Sequence, residues 1–226
     1  MSVATPLRVG MVDSGVAAEL LPAVAAARAF APGAEGVVEA GDAGLDRLNH
    51  GTQIARLLLQ GGELRLLVAQ VFSGAQRCSA AQLAAAVDWL VEQEAALINL
   101  SVGLRQASAE LRLACERAAA RGIVLVASAP ARGAPVFPAA YAQCIAVSGD
   151  ARCGAGEISW LGGANADFGA HPCAVAGDAT SGGASFAAAR VAARIARLLQ
   201  QGMPAGEALA TLRGLCRYQG PERRSA

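Results

Sequence analysis

Short apolar runs alternate with stretches of helical spacing along most of this chain, and nothing else in the sequence constrains the fold as tightly. Residues 7–12, 64–72, 96–102, 123–129 and 144–148 are apolar and of strand length. Between or after them lie residues 50–60, 79–95, 108–121 and 185–201, which carry helical spacing. In 79–95 the side chains of Leu83, Val87, Leu90 and Val91 share one face, and Ser79 is placed to cap the N-terminus. Gly61-Gly62 and Gly122 end two of the helices. Continuous apolar strands separated by helices imply an α/β fold: a parallel sheet in three layers, with helices on both faces. Such sheets gather their sites at the carboxyl ends of the strands.

The 226 residues suit one domain, because a parallel α/β core can exceed 200 residues as a unit. Apolar residues make up 54% of the chain but aromatics only 4%, so the layers must pack closely through small side chains, chiefly Ala and Gly. All nineteen basic residues are Arg, which reads as the coding bias of a GC-rich genome. A net charge of +1 excludes the basic surfaces that nucleic acid and anionic membranes select. No apolar run is long enough to span a bilayer. The first residues show no basic region followed by an apolar one, so a cytoplasmic location is expected. The cysteines at 78, 115, 144, 153, 173 and 216 form no CxxC and are expected to be reduced thiols. Residues 220–226 are expected to be a frayed polar tail. The Gly-rich stretch 160–183 is too long for a plain connection; loops of that length are functional or partly ordered by a short hairpin.

Three segments carry residues able to do chemistry. Asp13 ends the first strand, where an acidic side chain is costly unless it is paired. His50 opens a helix and is one of two histidines, with His171. Ser185 follows Gly182-Gly183-Ala184, where small neighbours allow a substrate backbone to approach and a helix start aims N–H groups at an anion. Taken singly, Asp13 is equally a turn residue, His50 a structural histidine and Ser185 an N-cap. Together they supply a carboxylate, a base and a nucleophile in the chain order of subtilisin.

The chain resembles the subtilisin-like (subtilase) serine peptidase family. Asp13-Ser14-Gly15 is similar to its aspartate motif, and His50-Gly51-Thr52 with Ala55 to its histidine motif. The run from Ile98 through Asn99, Leu100, Ser101 and Val102 to Gly103 is similar to the strand lining its cleft. Phe137-Pro138-Ala139-Ala140-Tyr141, leading into Ile145-Ala146-Val147, is also of the family's type. Gly183-Ala184-Ser185-Phe186-Ala187-Ala188, continued by Arg190-Val191-Ala192, resembles its nucleophile motif.

The resemblance implies a catalytic triad of Asp13, His50 and Ser185. It also implies substrate contacts along Ser101, Val102, Gly103, Ala127, Ser128 and Ala129, to which an extended peptide or protein substrate would add as a strand. The backbone N–H of Ser185 should serve as one oxyanion donor. No cofactor and no metal is implied; His171 and Cys173 alone make a poor zinc site.

Three departures matter. Ala131 stands where the family has its oxyanion asparagine, and Pro130 replaces the preceding glycine, which leaves the second donor open: the site is slow, another group such as Arg132 or Asn165 supplies the donor, or the chain is a non-catalytic relative. Ala189 replaces a proline after the nucleophile, and Ala184 a threonine before it. A site short of one donor suits a slow, selective processing task. In economy the chain is similar to the compact relative that removes the leader of the crosslinked small subunit of quinohemoprotein amine dehydrogenase. Two other readings compete: a peptide-binding scaffold or chaperone that kept the cleft, and a nucleotide-binding α/β protein, against which the lack of GxGxxG counts.

Overall fold

The computed structural model describes residues 6–33, 38–74, 77–175 and 182–222. Ten strands form one sheet. They are β1 (Leu7–Asp13), β2 (Val24–Pro32), β3 (Val38–Gly41), β4 (Leu64–Gln70), β5 (Leu97–Leu100), β6 (Val124–Ser128), β7 (Cys144–Gly149), β8 (Ile158–Trp160), β9 (Phe168–Ala170) and β10 (Tyr218–Gln219). Their order is β10-β8-β9-β7-β6-β5-β1-β4-β2-β3. The run from β9 through β2 is parallel, and only β2–β3 and β8–β9 pair antiparallel.

The helices are α1 (His50–Leu58), α2 (Ala80–Glu92), α3 (Ala109–Ala120), α4 (Ala184–Gln200) and α5 (Ala205–Gly214). Strand alternation divides the core in two. On β1, Val9 and Met11 face one side and Val12 the other; on β4, Leu66 and Val68 oppose Leu67 and Ala69. One face is covered by α2 and α3, the other by α1, α4 and α5. This is the expected three-layer α/β arrangement.

Local chemistry explains the layer contacts. Ser79 and Gln82 form a reciprocal capping box at the start of α2, and the Ser108 side chain accepts from Leu111 at the start of α3. Helix α2 sits so close to β1 that a Cβ on Gly10 would lie 3.0 Å from both methyls of Leu90. In α4 every residue from Phe186 to Ala193 is buried, which a helix between α1, α5 and the sheet can manage only with small side chains. Ile54 and Leu58 of α1 are fully buried and stabilise its seat by about 2 kcal/mol each.

Four elements go beyond the sequence reading: β2, β3, α5 and β10. The stretch 160–183 does contain a hairpin strand, β9, whose partner β8 begins before it; the turn closes through Leu161 N–H to Asp167 O at 2.8 Å. Residues 176–181 of that stretch lie outside the described residues. Gly220, the first residue of the expected tail, has partners for its backbone. Gly220 is held through its N–H to Trp160 O and by Arg152 on its own carbonyl, while residues 223–226 lie outside the described residues.

Candidate active site

β1 is where the chain changes direction across the sheet: β4 lies on one side of it and β5 on the other. A crevice at the carboxyl ends of the strands is expected at such a point, and Asp13 is the last residue of β1. Its carboxylate is fully buried. Oδ1 accepts the Ser14 N–H at 2.7 Å, and both oxygens accept from His50 Nδ1, at 2.8 Å and 3.0 Å. The buried charge is therefore paired. A proton on Nδ1 leaves the Nε2 lone pair of His50 free to act as a base.

His50 is the first residue of α1. Gly51 lets α1 start this close to β1: a Cβ there would collide with the Gly15 carbonyl and crowd Asp13 Oδ1. Burial of the imidazole works to lower its pKa. The hydrogen bond and charge of Asp13, with the charge of Asp46, outweigh burial, so the ring titrates above its ordinary value.

Ser185 is the second residue of α4, so its N–H belongs to the first turn, where no helical carbonyl lies within reach. The next residue, Phe186, packs its ring on His50 with 5.4 Å between centroids. The nucleophile segment thus meets the Asp13–His50 pair from the α4 side. Among the described residues no hydrogen bond joins His50 Nε2 to Ser185 Oγ. The chain entering α4 is held to the segment after β9: Gly183 N–H donates to Pro172 O, and Gly182 bridges Cys173. Arg190, buried on α4, donates to the carbonyls of Cys173 and Ala174 in that segment and to the carbonyl of Ala155 in the turn before β8. Burial pushes its pKa down.

The cleft edge follows from register. β5 and β6 pair only as far as Leu100–Ala127, whereas β6 stays paired with β7 to Ser128–Val147. Beyond that point the backbones of residues 101–103 and 128–130 part. Gly103 is exposed, Ser101 and Val102 are buried, and Asn99 Nδ2 holds Ser101 Oγ at 2.9 Å.

Ala127 is paired on both sides, with Leu100 and Ala146, and its side chain is fully buried toward α2 and α3. Ala129 is buried too, and its N–H donates to Val147 O. Ser128 lies between them at the end of β6.

The turn after Ala129 carries no asparagine. Ala131 and Arg132 are exposed, and Asn165 Nδ2 is turned to Gly133 O at 3.3 Å. All three, with Ser148 and Asp150, line a cavity of about 450 Å³. His171 Nδ1 meets Cys153 O at 3.0 Å. Among the described residues no cluster of three metal-ligating side chains occurs, all six cysteines are free, and no helix is long and apolar enough to cross a membrane.

Two residues that sequence reasoning passed over stand behind the Asp13–His50 pair. Asp46 Oδ1 accepts from Ser14 Oγ, Leu48 N–H and Asn49 N–H, and its Oδ2 from both the N–H and hydroxyl of Thr52. Gln70 ties Ser14 O to Gly44 N–H. The available signal was an Asp four residues ahead of a helix start that carries a Thr.

A model of the Subtilase family, Peptidase S8, matches residues 7–215. No curated protein matches the chain. Several solved structures share the fold. The nisin leader peptidase NisP from Lactococcus lactis superposes with a TM-score of 0.69 at 16% identity, over 92% of this chain and 82% of that one. The S41 psychrophilic protease gives 0.68 at 19%, over 93% and 82%. The prenylagaramide maturation protease PagA gives 0.61 at 19%, over 89% and 78%.

Proposed function

We propose that this chain, which belongs to the Subtilase family, is a serine endopeptidase working by acyl transfer through Asp13, His50 and Ser185. The observation that carries this reading is the contact of His50 Nδ1 with the Asp13 carboxylate, beside the start of α4 that it meets through Phe186. In this reading His50 takes the Ser185 proton and returns it to the leaving amine. Asp13 fixes the tautomer and stabilises the imidazolium. The Ser185 N–H receives the oxyanion, and an extended substrate lies between residues 101–103 and the turn from Ser128.

Its task is selective: removal of a leader during maturation of a partner protein. Support comes from two proteins of the same fold, a nisin leader peptidase and a prenylagaramide maturation protease. Support also comes from the turn at Ala131, which offers no side-chain amide to a tetrahedral intermediate and so favours slow turnover. In its narrowest form the reading takes residues 1–226 as one peptidase domain acting in the cytoplasm on the small subunit of quinohemoprotein amine dehydrogenase. Incubating that precursor with the protein and with Ser185→Ala, then sequencing new N-termini, tests it; one cut at the leader junction with the active protein alone is expected. The missing amide also favours a second reading, a peptide-binding scaffold with little turnover, which predicts retention of the precursor without cleavage.

A further inference from the structure

We propose that Asp46 is a positioning residue of this site, locking both partners of the Asp13–His50 contact from behind. This rests on the peptidase reading and adds a residue that the triad does not contain. Asp46 reaches the two partners by separate routes. Toward His50, it accepts the N–H groups of Leu48, Asn49 and Thr52, so it grips the backbone on both sides of the histidine. That grip accompanies the left-handed conformation of Asn49, at φ 58°, which turns the chain into α1. Toward Asp13, it accepts from Ser14 Oγ at 2.9 Å.

Ser14 Oγ has one proton and two carboxylate neighbours, Asp46 Oδ1 at 2.9 Å and Asp13 Oδ1 at 3.2 Å. It also accepts the Gly51 N–H at 2.9 Å, so one hydroxyl ties the end of β1 to the first turn of α1. With its proton drawn to Asp46, Asp13 Oδ1 is left to the Ser14 N–H and to His50.

An ordinary helix cap would end at the N–H groups of its own helix. Asp46 does more, because one of its two hydroxyl partners, Ser14, directly follows Asp13 at the end of β1. Burial works to raise its pKa, but the bonds from the Thr52 hydroxyl and N–H, the Leu48 N–H and the Ser14 hydroxyl outweigh it and hold the carboxyl below the usual carboxylate range, so it stays charged. Two carboxylates thus act on the imidazole, Asp13 from β1 and Asp46 from the loop before α1, while α4 presents the uncharged Phe186 ring.

The test is Asp46→Asn in the full chain, with two readouts. The first is the NMR titration of the His50 ring, assigned against the only other histidine with His171→Gln; it needs no turnover, so it decides this inference even if no peptide is ever cleaved. The expected result is a midpoint moved to lower pH. The second is peptide hydrolysis, where kcat should fall by up to about 100-fold with KM little changed, as misplacement of a reacting pair does. An unmoved His50 midpoint with full kcat overturns the proposal. Should Asp46→Asn fail to fold, Ser14→Ala carries the test, since it keeps Asp46 and its bonds to Leu48, Asn49 and Thr52 and removes the hydroxyl that links Asp46 to Asp13 and to the Gly51 N–H. Its kcat should drop about tenfold, and wild-type kcat would overturn the proposal.

Discussion

His50 Nδ1 faces both oxygens of the buried Asp13 carboxylate, at 2.8 Å and 3.0 Å, and so commits its proton to that side. The contact joins the last residue of β1 to the first of α1, two elements that bury Met11 and Ile54 completely. The following predictions depend on it.

Asp13→Asn keeps the shape of the carboxylate and removes its charge. An amide turned to donate toward Nδ1 would favour the wrong tautomer. Hydrolysis should fall on the order of 10⁴-fold, with the fold intact. Steady-state kinetics beside a circular dichroism spectrum check this; a loss below tenfold would remove Asp13 from the mechanism.

The raised pKa of His50 makes activity and stability move in opposite directions with pH. The base must be neutral, so kcat/KM should climb with pH through a midpoint above the ordinary histidine value of about 6.5. The stability contributed by the charged ring is complete below its unfolded pKa and is lost as pH rises through the folded value. Denaturant unfolding of the native protein and of His50→Gln across this range should show their difference shrinking toward alkaline pH.

Ala131→Asn restores a side-chain amide at the exposed turn after β6. If turnover is limited by the second oxyanion donor, kcat should rise by about 100-fold, the lower end of what one such donor contributes in subtilisin itself. Single-turnover kinetics separate this from a change in binding. An unchanged rate would place the missing donor elsewhere.

Gly51→Ala puts a methyl where the Gly15 carbonyl stands, and backbone on both sides limits relaxation. The expected cost is about 3 kcal/mol of stability, read by urea unfolding, together with loss of hydrolysis as α1 moves off β1.

The layers were legible because their periodicity is strong. The apolar runs that became β1, β4, β5, β6 and β7, and the spacing of α2 and α4, carry their own signal. β2 and α5 were not legible for a physical reason. β2 is built mostly of alanine, which has little preference for strands, and only Phe30 is buried; α5 buries only Ala208 and Leu212. At the site, Asp13, His50 and Ser185 stand at element ends that their motifs announce. Asp46 acts through backbone N–H groups and a hydroxyl brought to it by folding, which no spacing encodes. Motif order placed Ala127 beside the cleft, and strand alternation, which turns its side chain to the α2 and α3 face, was not part of that reading.

The most direct measurement of the central claim is covalent labelling of the folded protein with a fluorophosphonate, followed by mass spectrometry of its peptides. Ser185 should carry the adduct, and labelling should vanish in Ser185→Ala and fall sharply in Asp13→Asn. Folded protein that takes up no label at Ser185 would contradict the account.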